Sequence, residues 1–324
     1  MSTAWYKADT APRLLRSFPR KKRNGIRGGE KIIVTSVEVW NTTCIVTKFG
    51  KSQQETSNCS VAVLVNPSNP DLLGVRKFPY FPRGGPLPKR LPGKYEHHLM
   101  GYVRQWGGME VKKGMLFPFN VVDGLVHELG GWQLALHCFM LPSVNENGEK
   151  CPVGKAVLTP PGGRELQSEY DSIVHTVSPF YEHHDGGCSP EKALEESYQN
   201  SLKLCEESAA AVVGDREDVF LQEHQGTADD RVIRFAFPLL GAGGRGFPIE
   251  KAIDIAASQS IQWRNGVFNS TSTSTSSSHR DDREDDHTIH SSSTISQPSR
   301  VLAFGIPNME NAQKLADAIS KYSD

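Results

Sequence analysis

Apolar positions along the chain fall into two alternating periods. "KIIVTSVEVW", "TCIVTKF", "KAVLT", "YDSIVHTV", "RVIRFAF" and "RVLAFGI" are short and rich in β-branched residues, and each predicts a strand. "CSVAVLV" is continuously apolar, the pattern of a strand buried on both faces. "VVDGLVHEL" and "WQLALHCFM" carry helical spacing, and "SPEKALEESYQNSLKLCEES" opens on a capping serine followed by proline. In that segment Leu194, Tyr198, Leu202 and Cys205 share one face. "PIEKAIDIAASQSIQW" places Ile249, Ala252, Ile253 and Ala256 at i, i+3, i+4 and i+7, and "NAQKLADAISKY" closes the chain as a helix. Strands that alternate with helices predict α/β layers around a mainly parallel or mixed sheet. The last strand is expected to rejoin that sheet.

Two stretches break the pattern. Residues 70–118 are rich in Pro, Gly, Lys and Arg with interleaved aromatics, a length typical of lids, binding surfaces or disorder. Residues 269–300 are Ser-rich with almost no apolar residues, and are expected to be disordered. The expected organisation is a basic mobile arm over 1–29 and a single domain over 30–324 carrying both insertions.

Composition narrows the class. With 324 residues and 37% hydrophobic content the chain can bury one substantial core. The net charge of −1 conceals a block holding Arg13, Arg16, Arg20, Lys21, Lys22, Arg23 and Arg27 without an acid. A solvated arm, a nuclear address and a transit peptide all fit that block. No apolar run is long enough to span a membrane, so an intracellular protein of cytoplasm or nucleus is expected. The six cysteines form no CxxC pair and read as reduced and mostly buried. The pairs His97–His98 and His183–His184 lack metal-ligand spacing, and neither a metal nor a cofactor is expected.

The chemistry centres on "LLGAGGRGFP", residues 239–248. Gly241, Ala242, Gly243, Gly244, Arg245 and Gly246 formally satisfy GxGxxG, the dinucleotide fingerprint. That fingerprint wants an acid about 20 positions on, where the chain reads "SQSIQWRNGVFNS". A Walker loop fails because neither Lys-Ser nor Lys-Thr follows. A ligand-free turn remains open. So does an anion site, because Phe247 and Pro248 lead into a helix whose free N–H groups and positive end favour phosphate.

Six ordered blocks, "VAVLVNPSN", "VDGLVHELGG", "CPVGKAVLTP", "IVHTVSP", "SYQNSLKLCEE" and "FAFPLLGAGGRGFPIEKAIDIA", resemble the macrodomain family of ADP-ribose-binding proteins. The resemblance covers most of residues 55–262 apart from the first insertion. It implies a three-layer α/β/α sandwich with a central mixed sheet, and a glycine loop, Gly241 to Gly246 with Phe247, whose amides wrap the diphosphate and distal ribose. Arg245 stands where the family often has an aromatic. Asn66 and Asn69 match the asparagines of the "NAAN" turn, the second orienting the distal ribose in the hydrolase branch. Asp123 matches the aspartate that activates the attacking water, and Asn69 with Asp123 forms the implied catalytic pair.

Glu55 falls near the aspartate that binds the adenine amino group, His175 matches a structural strand histidine, and Phe304 either flanks adenine or packs in the core. Phe119, Asn120 and Val121 stand in place of the family's glycine triplet, a departure from the family pattern that bears on catalysis more than on binding. Hydrolysis of ADP-ribosyl linkages on protein or nucleic acid is the implied activity, and a non-catalytic reader is the alternative. A third reading uses Arg76, Lys77, Arg83, Lys89, Arg90 and Lys94 with Phe78, Tyr80, Phe81 and Tyr95 as a surface for RNA.

Overall fold

The computed structural model describes residues 12–26, 29–51, 59–74, 81–82, 115–116, 121–182, 184, 186–220, 232–266 and 298–323. Strands β1 (Arg13–Ile26), β2 (Gly29–Asn41), β3 (Cys59–Pro67), β4 (Phe81–Pro82) and β5 (Met115–Leu116) precede helix α1 (Val122–Met140). Then come β6 (Ala156–Thr159), α2 (Arg164–Glu169), β7 (Ser172–Thr176), α3 (Pro190–Phe220), β8 (Val232–Phe237), α4 (Ile249–Arg264), β9 (Ser299–Ile306) and α5 (Met309–Ser323).

Among the described residues seven strands form one mixed sheet in the order β1-β2-β9-β8-β3-β7-β6. The five central strands run parallel, and β1 and β6 join antiparallel at the edges. Period-two alternation then sorts side chains into two cores. Val61, Val63 and Val65 of β3 pack with α3, α4 and α5, while Ala62 and Leu64 pack with α1 and α2. This is the three-layer α/β/α arrangement, and β3 is buried on both faces as its unbroken apolar run predicts. The final strand β9 inserts between β2 and β8, joining the chain's end to the same sheet.

Two expectations are corrected. Arg13–Ile26 is an edge strand, not a mobile arm. Its alternation buries Phe18 and packs Leu15 on the core while Arg13, Arg16 and Arg20 stay exposed. Charged residues and Pro19 suit an edge, where they discourage further strand pairing. "TCIVTKF" is a turn, not a strand: the Thr47 and Lys48 amides both donate to the Cys44 carbonyl, and Thr42 Oγ1 accepts from the Cys44 amide. Ile45 and Val46 are buried through that turn and reach the second core, while Thr43 stays exposed.

Helix α3 starts where Ser189 accepts from the Lys192 amide, and its predicted face of Leu194, Tyr198, Leu202 and Cys205 is buried. Pro248 stands at the N-cap of α4, one position before the first helical residue expected of it. Gly131, at φ 59°, breaks α1 between its two apolar stretches. Most of the first insertion and nearly all of the Ser-rich tract lie outside the described residues, as do Glu55, Phe119, Asn120 and, save the backbone of Phe81, the basic and aromatic residues assigned to RNA. Among the described residues no helix is long and apolar enough to cross a membrane, and five cysteines are free, four of them buried.

Candidate functional site

Parallel strands bring their C-terminal ends to one side of the sheet. After β3 the chain passes through α1, β6 and α2 to β7 on one flank, then through α3 to β8 on the other. A strand whose neighbours lie on opposite sides opens a crevice at its carboxyl end, the usual ligand position in such sheets. Asn66, Ser68 and Asn69 leave β3 at that point.

Asn66 is fully buried and pairs in register with His175 of β7. Its Nδ2 donates to Asp123 Oδ1 at 2.9 Å and lies 3.2 Å from His175 Nδ1. Asp123 sits in the first turn of α1, behind the N-cap Val121, where the helix dipole favours a carboxylate. His127, one turn on, places Nε2 at 3.5 Å from the same oxygen. Gly74, at φ 66°, leaves the space that the His127 ring takes; a Cβ there would stand 2.5 Å from its Cγ. On the far side Thr159 Oγ1 meets His175 Nε2 at 2.8 Å. Burial, with His127 adding to it, pushes the His175 pKa down to about 3, so the ring is neutral.

Asn69 begins a tight turn. Its carbonyl accepts from the Leu72 amide and its Oδ1 from the Leu73 amide at 3.3 Å, which turns Nδ2 away. Leu72 is held at φ 59°, a conformation that non-glycine residues rarely adopt and that recurs at binding sites. Four buried polar atoms here have no hydrogen-bond partner among the described residues: Asn66 Oδ1, Ser68 Oγ, Asn69 Nδ2 and Asp123 Oδ2. Each such atom costs about 1–3 kcal/mol if nothing meets it.

The glycine loop forms the opposite lip. Gly241 and Gly246 have φ of 79° and 77°, and a Cβ on Gly241 would stand 3.0 Å from Leu194 and 3.1 Å from Phe247. The amides of Gly246 and Phe247 are used inside the loop, on the carbonyls of Gly243 and Gly241. Those of Gly243, Gly244 and Arg245 make no hydrogen bond among the described residues. Gly243 borders open space: a Cβ there would meet no described atom within 4 Å.

Arg245 ties the lips together. Its Nη2 donates to the Ser68 carbonyl at 2.8 Å, its guanidinium lies 4.5 Å from the centre of the Phe180 ring, and its own carbonyl accepts from Tyr181. Burial lowers its pKa to about 10 while the Asp123 charge opposes the shift, leaving it a cation at neutral pH.

The fold therefore gathers Asn66, Asn69, Asp123 and Arg245. The Phe247 ring lies in the core against Tyr181, 5.1 Å between centroids. Phe304 is likewise fully buried among Tyr198 and Phe237. Sequence reasoning missed Ser68, Thr159 and Phe180. Ser68 had a signal, its place between two asparagines of one turn; Thr159 and Phe180 had none, since only strand pairing and loop packing bring them in.

The Macro domain family model matches residues 119–256, so Asn66 and Asn69 lie outside the matched segment. The chain is 30% identical over 135 residues to a macro domain-containing protein of Caldanaerobacter subterraneus subsp. tengcongensis, covering 42% of this chain and 59% of that protein. It is 29% identical over 135 residues to an O-acetyl-ADP-ribose deacetylase of Klebsiella pneumoniae, again 42% and 59%. The chain thus spans about three fifths of the length of these relatives. Among solved structures it is similar to the Oceanobacillus iheyensis macrodomain with ADP, at 18% identity, coverage of 95% and 97%, and a TM-score of 0.46. Residues 119–256 are thus similar to macro domains in the family model, and the same resemblance runs through the ordered blocks and these relatives.

Proposed function

We propose that this protein binds ADP-ribose, free or attached to a protein or nucleic acid, and hydrolyses the ADP-ribosyl linkage. The observation that carries the reading is the set of four unpartnered buried polar atoms on Asn66, Ser68, Asn69 and Asp123, facing a glycine loop with spare amides. A ligand with several hydroxyls and a diphosphate supplies what both lips lack. The amides of Gly243, Gly244 and Arg245 hold the diphosphate beside the Arg245 charge, as main-chain donors commonly do for phosphate.

Asn69 Nδ2 donates to a distal-ribose hydroxyl. Asp123 Oδ2 takes a proton from a water as that water's oxygen bonds to the anomeric carbon; the bond to the acceptor breaks, and the departing acceptor receives a proton. The name of the Klebsiella relative, a deacetylase of an ADP-ribose ester, supports an ADP-ribose derivative as substrate.

Titration calorimetry with ADP-ribose tests the binding step. Micromolar affinity, about −8 kcal/mol, is expected. Absence of heat at millimolar ligand with folded protein refutes it. Release of ADP-ribose from a modified substrate then separates an enzyme from a reader that only docks.

A further inference from the structure

The hydrogen bonds around Asn66 fix more than its own position. A carboxylate oxygen only accepts, so the Asn66 atom 2.9 Å from Asp123 Oδ1 is the amide nitrogen, and the amide cannot be turned over. The same NH2 group lies 3.2 Å from His175 Nδ1 and has a second hydrogen to give it. Nδ1 is therefore an acceptor. A neutral imidazole whose Nδ1 accepts carries its proton on Nε2, where Thr159 Oγ1 stands at 2.8 Å to receive it.

We infer that His175 is a positioning residue for the site. Held as its Nε2–H tautomer by Thr159, it turns the Asn66 amide so that one N–H grips Asp123 Oδ1, leaving Asn66 Oδ1 and Asp123 Oδ2 for the ligand. The purpose of this device rests on the ADP-ribose reading; its geometry rests on the hydrogen bonds alone.

One rival uses the same ring. Ligand atoms of His127, Cys138 and His175 lie within 4.8 Å of one another, all buried, a nitrogen and sulfur set that suits zinc. An imidazole that accepts at Nδ1 and is protonated at Nε2 has no lone pair left for a metal. Cys138 Sγ, 3.9 Å from Nε2, then stands as a thiol beside the ring, its pKa raised by burial to about 12.

Long-range proton–nitrogen NMR of the histidine rings in the full chain reads the tautomer directly. The expected spectrum shows His175 with its proton on Nε2, unchanged after zinc is added. A proton on Nδ1, an imidazolium, or zinc uptake that removes the Nε2 proton overturns the inference. In turnover, His175→Leu is expected to lower kcat by about 10–100-fold, the usual cost of losing a supporting partner, with KM altered by less than about threefold. His175→Asn, whose Oδ1 replaces Nδ1 as acceptor, is expected to restore most of that loss.

A folded His175→Leu with full kcat overturns the role. Should that variant not fold, Thr159→Val decides, because loss of the Nε2 acceptor must shift the ring and the Asn66 amide signals; no shift overturns the inference. An unaltered protein that binds no ADP-ribose refutes the ligand reading, and the ring spectrum still decides whether His175 orients Asn66.

Discussion

Along the glycine loop the main chain presents most of the polar groups, with Arg245 the one charged side chain among its glycines; around Asn66 the side chains present them, and all are buried. The loop needs Gly241 and Gly246 for their backbone angles and Gly243 for open space. The asparagine cluster depends chiefly on Asn66, Asp123 and His175 standing at set distances, which three separate elements supply. Two lips of one crevice are thus specified in different ways. A loop of amides tolerates many surroundings, whereas a network of side chains loses its function if any member moves.

Replacing groups on each lip tests that contrast. The largest effect is expected from Asp123→Ala, which removes the proposed base and should lower ADP-ribose release by about 100-fold or more with much of the affinity retained. Chromatography of released product measures it, and unaltered release would remove Asp123 from its role. On the other lip, Gly243→Glu should leave the melting temperature nearly unchanged, because the fold has room there, yet weaken ADP-ribose about 100-fold in calorimetry, about 2.7 kcal/mol. A full-affinity Gly243→Glu variant would show that the loop is only a turn.

Acid stability separates the lips again. The folded pKa of His175 lies near 3, below the unfolded value of 6.5, so the unfolded chain binds the extra proton as pH falls. Stability is therefore full above about pH 6.5 and drains away towards pH 3, by an order of a few kcal/mol. Denaturant titrations of His175→Asn should show a flatter acid limb, and an identical limb would count against a buried neutral ring. The smallest effect belongs to Arg245→Ala. Loss of its bond to Ser68 and its charge beside the loop should weaken ADP-ribose about threefold to tenfold, more at low salt than at high.

Much of this architecture is legible before folding. The β-branched runs of β3, β8 and β9 and the face of α3 carry their periods openly, because a residue's burial in a strand or helix follows from its spacing. Where local pattern and tertiary placement compete, reading fails: Ile45 and Val46 look like strand residues and are buried through a turn. The N-terminal basic run looks like a solvated arm because its charge outweighs Leu15 and Phe18, yet those side chains pack on the core while the strand pairs along β2. Phe247, adjacent to the glycines, carries no local sign that its ring lies in the core.

By itself the sequence determined the alternation of strands and helices, the glycine loop and the ordered blocks that resemble macro domains, since each is a property of neighbouring residues. Only the tertiary structure decided that Asn66 and His175 share a register, that Thr159 stands behind the ring, and that Arg245 closes on Ser68. Those contacts join residues far apart in the chain, and no spacing along it encodes which lone pair meets which proton.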